Sequence, residues 1–314
     1  MKNKKLISCI LVTFFAFMLY SANLRHIENA KIKIVEPKTT KTAKKQEKEP
    51  EITASKAPSY TDKKKTKTAD SNADKGSNKS LVAAIEKAMG NQGNYQVAVQ
   101  DLNNSSRYAR VATSKKSHNV STAMELFLLT ALYKQRQSGK IKTGTSIKIK
   151  KSDRAKGEKY LTTNMLYGIA YLRQAMMTGN KTAANALLRK VGKANVNKVA
   201  AQFGATDTAM VGTFTKKPVG HTTANDLDSV LKGLYQGKVL NRQNAQNVLM
   251  AMHGHNNPLI NGLNGTIYSV GDKYCATALV QNTGHSYAVS VWSESGQNLN
   301  KLGKAVEKWF NKAR

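Results

Sequence analysis

The sequence predicts an α/β domain. An antiparallel sheet of about five strands is flanked by terminal helices and carries an inserted all-helical subdomain. Three observations predict this. Apolar and polar residues alternate in two separate blocks, near residues 95–113 and 266–293, as half-buried strands do. Between the blocks runs a succession of segments with helical spacing. Amphipathic helices close both ends, "KSLVAAIEKAMGN" in front and "LNKLGKAVEKWFNKAR" behind.

The elements follow in order. Residues 1–22 set three lysines, Lys2, Lys4 and Lys5, before the apolar run Leu6–Tyr20. That is an export signal, either cleaved or kept as an anchor. The run is short for a spanning helix, which needs ~20 residues, and no clean small-x-small cleavage site follows it. Both outcomes leave the lysines inside and export the rest. Residues 23–79 are rich in Lys, Thr, Ala and Glu and poor in aromatics. Such a stretch cannot bury enough apolar area to offset its ordering entropy, so a disordered spacer is expected. Residues 80–314 form the folded domain. In it "YQVAVQDL" and "RYARVAT" are strands joined by an "NNSS" hairpin turn, followed by a helix over residues 121–138. "TSIKIK" is a short strand. Helices are expected in "TTNMLYGIAYLRQAMMTG", "KTAANALLRKVG", "NVNKVAAQFG", "TTANDLDSVLKGLYQGK" and "NRQNAQNVLMAMHGH". "GTIYSVGD", "YCATALVQN" and "SYAVSVWSES" are three more strands.

The formal net charge is +31, and within residues 81–314 Lys and Arg outnumber Asp and Glu by about three to one. Such a surplus attracts polyanions over long range and says little about fold. Export argues against nucleic acid. The expected partners are an anionic wall polymer or peptidoglycan at the surface of a Gram-positive cell, and the membrane where the signal stays uncleaved. A monomer is expected. Cys9 lies in the export segment, ahead of most of the apolar run, so it makes no lipoprotein box. Cys275 is left as a small buried apolar residue with no disulfide partner.

Several segments resemble the class A β-lactamases and the penicillin-binding D-Ala-D-Ala peptidases over roughly residues 80–314. "TTNMLYGIAYLRQAMMTGNKTAANALLRKVG" is similar to the family's helix that ends in a Ser-Asp-Asn loop and continues into an Asn-Leu-Leu helix. "TTANDLDSVLKGLYQGKVLN" is similar to its Thr-x-x-Asp-Leu helix, and "LYKQRQSGKI" to the end of its nucleophile helix. The resemblance implies a β-lactamase/transpeptidase-like fold and no cofactor.

The family's chemistry needs Ser-x-x-Lys, Ser-Asp-Asn and Lys-Thr-Gly. The first serine attacks the carbonyl and the lysine one turn on helps take its proton. The second motif relays that proton, and the third motif's lysine adds positive charge for the substrate carboxylate. Here the first motif falls on Thr122 with Glu125, or on Ser121 with Met124. Neither register has a lysine. The second falls on Gly179, Asn180 and Lys181, and the third on Ser269, Val270 and Gly271. The segment between Gly212 and Thr222 lacks the glutamate that deacylates a β-lactamase. Lys142-Thr143-Gly144 lies just past the nucleophile helix and reads as a turn. Ser229-Val230-Leu231-Lys232 fits Ser-x-x-Lys but sits in a helix the family packs away from the cleft. His221, His253, His255 and His285 come without a carboxylate or cysteine pattern, so no metal site is expected.

Thr122-x-x-Glu125 at the start of an apolar helix has the form of a capping box, which would make both residues structural. A carboxylate there could instead serve as general base to Ser121 or Thr122. Three functions follow. The first is a surface-exposed, catalytically inactive member of the fold that binds wall material or a partner. The second is an active serine hydrolase with a rewired dyad, acting on β-lactams or peptidoglycan stem peptides. The third is a purely electrostatic binder whose cleft plays no part.

Overall fold

A computed structural model describes residues 72–91 and 93–312. The export segment and nearly all of the expected spacer lie outside the described residues. The sequence boundary near residue 80 needs a correction, however. Strand β1 (Asn72–Ala73) already pairs with Val111 and Ala112, so the sheet begins before the first helix.

Helix α1 (Lys79–Met89) follows, capped by Asn78, whose side chain accepts from the Leu81 amide. Then come β2 (Tyr95–Asp101), β3 (Tyr108–Ala112), β4 (His118–Val120) and α2 (Met124–Gln137). The helical lobe comprises β5 (Ser146–Lys148), β6 (Leu166–Gly168), α3 (Ile169–Met177), α4 (Lys181–Val191) and α5 (Lys193–Gln202). β7 (Ala209–Met210), β8 (Gly220–Thr222), α6 (Ala224–Tyr235) and α7 (Arg242–Met252) lead back to the sheet. β9 (Thr266–Gly271), β10 (Cys275–Asn282), β11 (His285–Ser293) and α8 (Leu299–Lys312) end the described chain.

The main sheet has the order β1-β3-β2-β11-β10-β9, antiparallel throughout. Five of its strands are those the alternation predicts. The period of two splits each strand between two cores. Val97, Val99, Val289 and Val291 face α1 and α8 and pack with Leu81, Ile85, Leu302 and Phe310. Ala288 and Leu279 face the other way, into the core built around α2. That helix is the spine of the molecule. Every residue from Met124 to Tyr133 is buried, so α2 is covered on all sides.

Two further sequence expectations change. The helix predicted across residues 162–179 begins only at Ile169, because Leu166–Gly168 pairs with Ser146–Lys148 as a strand. The expected capping box does not form. Helix α2 starts at Met124, after a tight turn in which the Ser121 and Thr122 carbonyls accept from the Met124 and Glu125 amides, both at 3.0 Å. The preceding residue, Ala123, is already helical, and no side chain caps this end. Among the described residues no helix is long and apolar enough to cross a membrane.

Candidate functional site

The first motif position is delivered by a small sheet. β4 pairs with β8, Val120 opposite Gly220, and the chain turns from there into α2. A Cβ on Gly220 would lie 2.6 Å from the Ala209 carbonyl and 2.9 Å from the Met124 sulfur, so a side chain there would push β8 away from the β7 backbone. Ser121 and Thr122 are half-buried at this turn.

Glu125 lies in the first turn of α2 and is 5% exposed. Its Oε2 is buried without a hydrogen-bond partner. Burial, and secondarily the charge of Asp272, push its carboxyl up to about 8. Asp272 sits in the turn between β9 and β10, where its Oδ1 accepts from the amides of Tyr274 and Cys275 at 2.9 and 3.1 Å. An unpaired buried acid thus stands one turn beyond Ser121 and Thr122, with the charge of a second acid acting on it. The sequence signal for this was the helix itself. "MELFLLTALY" is apolar on every face, so a glutamate in its first turn has to be buried.

At the second motif position the side chains serve the scaffold. Helix α3 ends at Met177, and Gly179 turns the chain at φ 91°. Asn180 caps α4, its Oδ1 accepting from the Ala183 amide at 2.8 Å. Lys181 is exposed, and its amide donates to Glu158 Oε1 at 2.6 Å, while the Thr182 amide donates to Oε2 at 2.8 Å. Glu158 therefore neutralises the positive end of α4. No local pattern announces that contact, which spans more than twenty residues.

The third position is equally committed. Ser269 is buried, donates its Oγ to the His255 carbonyl at 2.7 Å and accepts from Asn257 at 3.3 Å. Val270 is core. Gly271, at φ 130°, would drive a Cβ to 2.2 Å from the Cys275 carbonyl. The His255 ring lies against this glycine, 3.1 Å from its oxygen, and burial lowers its basicity. The charge of Asp272, just past the end of β9, acts on Glu125 in the first turn of α2. Among the described residues no hydrogen bond or ion pair ties Gly179–Lys181 to either segment.

Other candidates resolve simply. Lys142–Gly144 is an exposed turn after α2. Ser229 and Lys232 lie within α6. The Cys275 thiol is buried and free, and burial pushes it far above its usual range. Among the described residues no cluster of three or more His, Cys, Asp or Glu is placed to hold a metal ion. Asn185 ties α4 to the loop before β8, its Oδ1 accepting from the Phe214 amide at 2.8 Å.

Residues 79–310 match the Beta-lactamase enzyme family. No curated protein sequence matches significantly. Among solved structures the chain is similar to PBP-A, with a TM-score of 0.66 and 18% identity over 74% of this chain and 97% of that one. It is similar to a beta-lactamase from Sphaerobacter thermophilus, with a TM-score of 0.60 and 17% identity over 74% and 95%. A beta lactamase from Xanthomonas campestris pv. campestris gives 0.58 and 18% over 73% and 95%. At such identities the likeness is one of fold.

Proposed function

The chain belongs to the Beta-lactamase enzyme family, and from that premise we propose that it is a cell-surface member that has left acyl transfer and binds anionic wall material. The observation that carries this is Glu125. Acyl transfer to a serine needs the nucleophile's proton removed and a developing oxyanion stabilised, and the family's substrates bear a carboxylate. The resemblance puts a lysine one turn after the nucleophile and another on the late strand. Here those positions hold a buried, unpartnered carboxyl and a serine whose hydroxyl bonds the His255 carbonyl. With its carboxyl raised to about 8, Glu125 is mostly neutral at neutral pH and supplies none of the positive charge that the resemblance assigns to a lysine there.

The binding half of the reading rests on the formal net charge of +31. The lysine-led apolar segment at residues 1–22 supports export. Purified walls bearing anionic polymer should retain the protein at low salt and release it steeply as salt rises, because charges beyond about 10 Å are screened near 0.1 M. Equal retention by walls stripped of anionic polymer would sink the reading.

One observation favours a second reading, that of an active hydrolase. A carboxyl held at about 8 is poised to exchange a proton near neutral pH, as a general base must. Such a hydrolase would gain activity as pH rises through about 8, when Glu125 ionises, and Glu125→Gln would abolish it without lowering the melting temperature.

A further inference from the structure

A strip of exposed side chains on the helical lobe, beside a groove that Gly179 and Asn180 also line, carries a separate proposal. Seven large apolar side chains are exposed among the described residues, and four of them fall within residues 160–171. They are Tyr160 at 85%, Leu166 at 65%, Met165 at 56% and Tyr171 at 51% exposure. Scattered apolar residues on a surface are ordinary, whereas a concentration marks an interaction site.

The local structure holds them out. In the β5–β6 pair, Ile147 lies opposite Tyr167 and Lys148 opposite Leu166. Ile147 is buried and Tyr167 half-buried, so the period of two leaves Leu166 on the outer face beside the exposed Lys148. Tyr171 stacks on Tyr167 with centroids 5.6 Å apart, and the Tyr167 hydroxyl accepts from the Thr162 amide at 2.9 Å. Tyr160 and Tyr171 border an open groove of about 590 Å³. This is an ordered edge, pinned by backbone bonds from Ile149 to Met165 and from Asn164 to Ile149.

Its charge is one-sided. Lys148, Lys150, Lys151, Lys156 and Lys159 are all exposed around the strip. The two acids of the same segment are already engaged. Asp153 is buried in an ion pair with Arg189 at 2.8 Å, and the Glu158 carboxylate is held by the Lys181 and Thr182 amides. The edge therefore offers protruding aliphatic chains, two tyrosines and a cationic rim.

We propose that this edge docks on an anionic lipid surface. Leu166 and Met165 enter the boundary of the acyl layer, Tyr160 and Tyr171 lie at headgroup level, and the lysines meet lipid phosphates. Protruding aliphatic chains gain little from a hydrated glycan but gain from an acyl boundary, and tyrosine suits the interface because one end is apolar and the other wet. Lysine stems lie along apolar surface with the ammonium in water, and each adds attraction to an anionic leaflet. The proposal goes beyond the wall-binding reading, because it rests on the exposed apolar side chains as well as on charge. General basic attraction fades with salt, while the apolar contact persists.

Hydroxyl-radical footprinting of the full chain tests this, with phosphatidylglycerol or phosphatidylcholine vesicles and at low and raised salt. The leading apolar segment can hold the chain on either vesicle type, so the phosphatidylcholine arm isolates the edge. Tyr160, Met165 and Tyr171 should be protected severalfold by phosphatidylglycerol vesicles, with protection remaining at raised salt. Met250 and Tyr274, exposed elsewhere at 55% and 47%, should stay reactive. A Met165→Gln/Leu166→Gln variant should lose the protection of both tyrosines. Unchanged reactivity, equal protection by phosphatidylcholine, protection only at low salt, full protection in the double variant, or protection by peptidoglycan fragments instead would each overturn the proposal.

Discussion

Two buried carboxyls divide this molecule into a scaffold and a cleft. Asp228, in α6, is fully buried, and its Oδ2 lies 2.6 Å from an Arg110 nitrogen on β3. Burial pushes its carboxyl up, while Arg110 and then Lys232 draw it down. Glu125, at the head of α2, is almost as buried and has no such cation. Its neighbouring charge is another acid, and both burial and that charge act in one direction. Asp228 joins a helix to the sheet with Arg110 on its Oδ2, although its Oδ1 is buried without a hydrogen-bond partner, and a cation beside it offsets the cost of an interior charge. The acid left without a cation is Glu125, one turn after Ser121 and Thr122.

The comparison is broken most forcefully from the anchored side. Arg110→Ala strands Asp228 and removes the donor to the Val99 carbonyl as well. Loss of one partner of a buried pair costs about 3–5 kcal/mol, to be read from chemical denaturation. A loss below 1 kcal/mol, on the order of an exposed pair, would mean that the pair is not an anchor.

The cleft acid should behave in the opposite manner. The folded carboxyl of Glu125 is raised to about 8 from an ordinary 4.5. The native state therefore binds the proton more tightly than the unfolded chain. Its stabilising contribution is fully present below about pH 4.5 and is lost as pH rises through about 8. Glu125→Gln keeps the shape and removes the charge. It should match the wild type near pH 4 and exceed it at pH 9, by on the order of a few kcal/mol. A Gln variant with the wild-type pH profile of stability would show that Glu125 is not the unpaired group described above.

Two smaller substitutions sharpen the contrast between committed and idle polar groups. Asn180 caps α4, so Asn180→Ala should lower stability by ~0.5–2 kcal/mol. Thr122 caps nothing, so Thr122→Ala should fall within about 0.5 kcal/mol of the wild type. Equal losses in thermal melts of the two variants would restore the capping box at residues 122–125.

The sheet was legible because strands whose alternate residues enter two different cores, and amphipathic helices at either end, impose periods that a sequence displays. "YQVAVQD" and "HSYAVSVWS" show the alternation that sends valines to one core and small residues to the other. The start of α2 was misread because Thr-x-x-Glu has the same spacing whether the glutamate returns to cap the helix or enters the interior. Only the packing of α2 on all sides separates these outcomes. Leu166–Gly168 was misread as helix because three strand residues leave no measurable period, and their pairing partner lies some twenty residues earlier. The contact of Glu158 with the start of α4, and the charge of Asp272 acting on Glu125, depend on the closed fold and leave no local trace.

The most direct test of the central claim is the intact mass of the protein after prolonged exposure to penicillin, across pH 6 to 9. Without a lysine beside the nucleophile position or a cation on β9, the mass should stay unchanged throughout, and Ser121→Ala and Thr122→Ala should be indistinguishable from the wild type. A penicilloyl adduct that grows as pH rises through about 8, the range in which Glu125 ionises, and that disappears in Ser121→Ala or Thr122→Ala, would contradict the account and make Glu125 the base of a working hydrolase.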